Sequence, residues 1–246
     1  MGAPARRPFP EAVRPGGSFC VRLVWQHADM AEQLTLPQAF ALLLVRPDGK
    51  IGMAAQNLTV GLGGAVLADL ALRGLVTYER PRVLARKAPP TGEPVLDGPH
   101  GEILAAPSPR RVTSWVGRSG KRPLRDAVLD GLVQRGILDR QERRVLGIFP
   151  STVYPERDGG PEKLLRGSIG DVLRGALVPT PFTAALIGLL DATGTLRPQF
   201  GKVDRALVRR ITEGDWVAPA VKSVLQSQQA SASGAAAAGA AAAVSS

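Results

Sequence analysis

Apolar positions recur at helical spacing through the middle of the chain. Thr35 can cap a helix with Pro37 in its first turn, and the aliphatic run that follows carries it through Val45. Pro47-Asp48-Gly49-Lys50 reads as a turn. Gly61-Leu62-Gly63-Gly64 then opens a second helix, with Val66, Leu67, Leu70 and Ala71 on one face and Gly74 just past its end. Residues 75–79 and 83–86 read as a small hairpin, and Pro89-Pro90-Thr91-Gly92 turns the chain into Val95-Leu96. Further helices are predicted over 112–116, 124–133, 161–177, 183–190, 203–211 and 217–225, with Asp215 at the cap of the last. Residues 145–149 read as a short strand. The pattern is mainly α with one or two β-hairpins, without an internal repeat or sustained βαβ alternation.

The two ends depart from this pattern. Residues 1–29 are rich in Pro, Arg, Ala and Gly and lack sustained periodicity. They read as an extension, unordered or preceding the true start at Met30; residues 19–25 as a short strand is the competing reading. From residue 227 onward the chain is almost entirely Gln, Ser, Ala and Gly. Alanine favours helix, but the segment has no large side chains to pack, so 227–246 is expected to be a disordered tail. One domain over 34–225 remains.

Charge narrows the partners. Lys+Arg total 31 against 21 Asp+Glu, a formal +10, which favours nucleic acid, a membrane surface or phosphate groups. Only six of those cations are lysines, as a GC-rich genome would give. The lone Cys20 excludes an intrachain disulfide or a Cys-rich zinc site, and His27 and His100 are too few for a multi-His centre. No cofactor or metal is expected. The longest apolar run, 39–45, is seven residues, against about 18–20 for a membrane span. A cytoplasmic protein is expected, peripheral on the cytoplasmic face of a membrane if it docks on lipid.

No catalytic residue is expected. His100 lies in Gly98-Pro99-His100-Gly101 and reads as an exposed turn histidine. The hydrolase, zinc-protease and P-loop motifs are missing. Asp69 and Asp126 read as salt-bridge partners. Lys121-Arg122-Pro123-Leu124-Arg125 is the most suggestive polar feature. Arg122 and Arg125, three residues apart at a helix start, can present two guanidiniums beside free N–H groups, a good phosphate site. Pairing with Asp126 or Glu142, or simple solvation, is the alternative. Gly61 and Gly64 could expose backbone N–H groups to an anion at a helix N-terminus; close helix packing is the alternative. Arg143-Arg144 and Arg209-Arg210 read as solvated faces. Lys50, Arg80, Arg82, Arg86 and Lys87 could orient the β section on an anionic surface.

Several of these patches, taken in order, resemble the Golgi phosphoprotein-three family. They are Leu34-Thr35-Leu36; Gly61-Leu62-x-Gly64 leading to Leu67-x-Asp69-Leu70-Ala71-Leu72-Arg73-Gly74; Pro90-Thr91-Gly92 and Val95-Leu96-Asp97; Ser114-Trp115; Leu132-Val133-x-Arg135-Gly136-Ile137-Leu138; and Glu213-Gly214-Asp215-Trp216, which looks like the bacterial members. The resemblance implies a compact helical bundle wrapped by amphipathic helices, with β-hairpins and no enzymatic activity. It implies a peripheral membrane adaptor for phosphatidylinositol 4-phosphate and for protein clients. The family's arginine pair falls on Arg122 and Arg125; its pocket tryptophan and first arginine fall on Ala54 and Gly63. Its dimerising hairpin falls near 149–160, implying a homo-oligomer. Two other readings stand beside it. One is a nucleic-acid-binding protein, opposed by sparse aromatics and no helix-turn-helix signature. The other is a binder of a soluble phosphorylated metabolite.

Overall fold

The computed structural model describes residues 34–53, 55–119, 122–145 and 149–244. The expected extension, with Met30, Cys20 and the strand considered over 19–25, lies outside them, as does Ala54. Thr35 opens helix α1 (Leu36–Leu42) with a reciprocal cap. Its Oγ1 accepts from the Gln38 N–H at 3.3 Å, and Gln38 Oε1 accepts from the Thr35 N–H at 3.0 Å. All of α1 is buried. Its remaining first-turn donor, the Leu36 N–H, meets Asp69 Oδ2 at 2.7 Å.

Asp69 belongs to α2 (Ala55–Leu72), the axis of the molecule. Leu58, Leu62, Leu67 and Leu70 are all buried, and α2 touches α1 and five later helices. A helix apolar on every side is a helix enclosed by others. At its C-terminus the Leu75 N–H reaches the Leu70 carbonyl and the Gly74 N–H the Ala71 carbonyl. Gly74 adopts φ 68°, the left-handed turn this closing motif requires. The same device, centred on Gly136, ends α5 (Arg122–Gln134).

The rest wraps this core. Strands β1 (Val76–Glu79) and β2 (Arg82–Ala85) form the expected hairpin, and β3 (Arg110–Arg111) adds to the β2 edge. Between them lies α3 (Pro94–Leu104), and α4 (Val112–Ser119) follows β3 directly. Then come α5, the antiparallel pair β4 (Gln141–Val145) and β5 (Phe149–Val153), α6 (Gly160–Leu173), α7 (Pro181–Ala192), α8 (Leu196–Phe200), α9 (Arg205–Ile211) and α10 (Val217–Val244). The fold is mainly α with small antiparallel β elements, as the pattern predicts.

Three expectations are corrected. α2 begins six residues before Gly61, so the glycines do not open it. Residues 98–101 are helix, not turn, because Val95, Leu96, His100 and Ile103 form one buried face of α3 that outweighs the loss of a donor at Pro99. Of the strand read over 145–149, Val145 closes β4 and Phe149 opens β5, and 146–148 lie outside the described residues. The Ala-rich segment read as disordered continues α10 through Val244, in line with alanine's helix propensity.

The Glu213-Gly214-Asp215-Trp216 motif has a structural basis. Gly214 has φ 83°, and Trp216 stacks on Tyr78 of β1 with centroids 4.9 Å apart. Asp215 Oδ1 accepts from the Val217 and Ala218 N–H groups at 2.8 and 3.2 Å, capping α10 as expected. Burial pushes the Asp215 carboxyl above its ordinary value, opposed by those two hydrogen bonds. The folded chain therefore holds this proton more tightly than the unfolded chain does. Its contribution to stability declines as pH rises from the ordinary carboxylate value through the raised one. Asp215→Asn keeps a capping oxygen and removes the titration. Thermal melts from about pH 4 to pH 7 should show the variant gaining on the wild type as pH rises; parallel curves would refute this account of Asp215.

Candidate functional site

The start of α5 is built as the sequence suggests. Pro123 occupies the first turn, where its missing N–H costs nothing, between Arg122 and Arg125. The Arg122 side chain lies outside the described side chains. The Arg125 side chain is one-quarter exposed. Its Nε is buried without a hydrogen-bond partner and stands 3.5 Å from Asp126 Oδ1, close enough for attraction. Asp126 is therefore the neighbouring carboxylate, in line with one of the sequence-based alternatives.

Around Arg125 the charges alternate. Arg140 Nη1 lies 3.4 Å from Asp130 Oδ1. Burial raises the Tyr154 phenol above its ordinary value; Arg140 and Arg125 pull it down, and Asp130 and Asp126 push it up. Tyr154 thus stays a neutral hydroxyl at the edge of this ionic cluster. Its backbone N–H donates to the Gly49 carbonyl at 2.7 Å, which pins the turn after α1 against the end of β5. Gly49 itself is in the left-handed region with φ 76°.

Gly61 and Gly64 do not join this site. Both lie buried inside α2, where backbone N–H groups serve the helix. A Cβ on Gly61 would stand 2.6 Å from two ring carbons of Phe40, and one on Gly64 would stand 2.2 Å from Val221 Cγ2. These glycines let α1 and α10 approach α2, and the helix-start cradle drawn from sequence is corrected to close packing. Gly63 is buried in the same stretch.

His100 offers no exposed base. It is buried, and its Nε2 donates to the Arg86 carbonyl at 3.0 Å, tying α3 to the segment that follows β2. Asp97 is likewise structural. Burial alone would raise its carboxyl, but hydrogen bonds from the Thr91 N–H and hydroxyl, at 2.7 and 2.8 Å, and from Gly92 hold it below its ordinary value. This explains the Pro-Thr-Gly and Val-Leu-Asp patches as one fastened turn.

One basic feature escaped the periodic reading. Between Glu102 and Asp126 the sequence has no carboxylate but carries Arg110, Arg111, Arg118, Lys121, Arg122 and Arg125. Local charge imbalance over that window was the available signal. Both the α5 start and the β3–α4 junction lie within it.

No helix among the described residues is long and apolar enough to cross a membrane, and Arg122 and Arg125 lie in the first turn of α5. The chain matches the family model of Golgi phosphoprotein 3 (GPP34) over residues 36–228, and it belongs to that family.

Proposed function

We propose that the protein is a non-enzymatic peripheral adaptor that docks on anionic phospholipid headgroups, phosphatidylinositol 4-phosphate among them, through Arg122 and Arg125. The observation that carries this reading is the arginine pair in the first turn of α5. There the helix dipole opposes two cations unless an anion offsets them. Family membership and the +10 charge support it. Asp126 and Asp130 temper the local potential, so the pair suits a phosphate that approaches from outside rather than a permanently enclosed ion. With Gly63 in place of the family's first arginine, two guanidiniums carry the interaction. Affinity then rests on them together with the general basic surface, worth about 1 kcal/mol per cation near an anionic leaflet. The β4–β5 hairpin is the surface we assign to self-association, which would add avidity; a protein client completes the adaptor reading.

Co-sedimentation with neutral, phosphatidylserine and phosphatidylinositol 4-phosphate vesicles tests the reading. The protein should pellet with both anionic sets, more strongly with the phosphoinositide. The general anionic component should fade as salt rises from about 0.1 to 0.5 M, because the Debye length shrinks below 10 Å. Equal pelleting with neutral and anionic vesicles would contradict it.

A further inference from the structure

A second basic concentration lies at the β3–α4 junction. The β2–β3 register places Arg82 directly opposite Arg111, and Val83 opposite Arg110. Like charges facing each other across a ladder oppose pairing, so this register needs something to offset it. Arg73, Arg135, Arg166 and Arg174 each meet a carboxylate within 2.6 Å. Among the described residues Arg82, Arg110 and Arg111 meet none.

These three arginines line an open groove of about 700 Å³, with no Asp or Glu in its walls. Two of them are held in place. Arg82 Nη1 donates to the Pro109 carbonyl at 2.7 Å, and the Arg110 guanidinium lies over the Trp115 ring, 5.9 Å from its centroid. Thr113 and Ser114, in the first turn of α4, bring hydroxyls to the same groove. Val224, Ser227 and Gln228 of α10 complete the lining.

We propose that this groove is a second anion site, separate from Arg122 and Arg125, for a phosphate ester of a small polyhydroxy compound. The guanidiniums take the phosphate through charge-assisted forks. The Thr113 and Ser114 hydroxyls take the ligand's hydroxyl groups. The volume lies within the range of about 300–1,000 Å³ usual for small-molecule sites. The ligand can be free in solution or be the headgroup of a lipid, since both present the same phosphate and hydroxyls.

The test uses the full chain carrying Arg122→Ala and Arg125→Ala, so that failure of the lipid-docking proposal cannot be confused with failure of this one. Calorimetric titration with inositol 1,4-bisphosphate and with inorganic pyrophosphate should show one equivalent bound, and myo-inositol should show none. Adding Arg110→Gln and Arg111→Gln should weaken binding about 100-fold, about ten-fold for each guanidinium removed. If that variant melts earlier, Ser114→Glu, which sets a carboxylate at an exposed position of the groove, should abolish binding in a folded chain. Vesicles carrying phosphatidylinositol 4-phosphate separate the sources. Pelleting that depends on Arg110 and Arg111 identifies a lipid headgroup, and binding of the soluble phosphates without pelleting identifies a soluble ligand. Absence of binding in every arm, or binding indifferent to Arg110, Arg111 and Ser114, overturns the proposal.

Discussion

Asp69→Ala should cost about 2–3 kcal/mol of stability, the range expected when a charge-assisted hydrogen bond is removed from a buried donor. Asp69 is buried, with 4% of its surface exposed. One oxygen receives the Leu36 N–H at 2.7 Å and the other receives Arg73 Nε at 2.5 Å. Removing the carboxylate leaves the first-turn donor of α1 buried and unpaired, in a helix with no exposed face. Arg73 is 40% exposed and can return to water. The buried amide, not the ion pair, therefore dominates the loss. Asp69→Asn, which can still accept from Leu36, should recover more than half of it. Denaturant melts of the three proteins decide the matter. Equal losses for Ala and Asn would place the energy in the Arg73 pair instead.

Gly64→Val should be more damaging still, at about 3 kcal/mol or more for overpacking a filled core. The first added atom alone would stand 2.2 Å from Val221 Cγ2 and 3.1 Å from Leu189 Cδ2. Gly64→Ala should lose less, because alanine returns up to about 1 kcal/mol of helix propensity. The diagnostic is the partner. In a double-mutant cycle, Val221→Ala should rescue Gly64→Ala, since it removes the methyl that the new Cβ strikes. Strictly additive losses would mean that α10 does not close on α2 at this point.

The packing role of Gly64 shows where sequence reading succeeds and where it stops. Caps and helix ends were legible because they depend on local chemistry: Thr35 caps α1, Asp215 caps α10, and Gly74 ends α2. The glycines inside α2 were misread as a helix start, because a small residue looks the same whether it frees a backbone or admits a neighbour. Only the tertiary approach of Phe40 and Val221 separates the two. His100 was misread for a related reason. Its Gly and Pro neighbours signal a turn, and the burial of one α3 face overrides them. The position of Arg122 and Arg125 in the first turn of α5 was legible, since a helix start is local. The groove at Arg82, Arg110 and Arg111 was not, because it exists only through the β2–β3 register and the arrival of α10 from more than a hundred residues away.

The central claim is that Arg122 and Arg125 dock this chain on anionic headgroups. Vesicle co-sedimentation of the full chain beside its Arg122→Ala/Arg125→Ala variant tests it most directly, with matched thermal melts to show that both proteins are folded. With vesicles carrying phosphatidylinositol 4-phosphate, the variant should bind at least about ten-fold more weakly, as removal of one or more charge-assisted hydrogen bonds to phosphate requires. A folded variant that pellets as well as the wild type would contradict the claim.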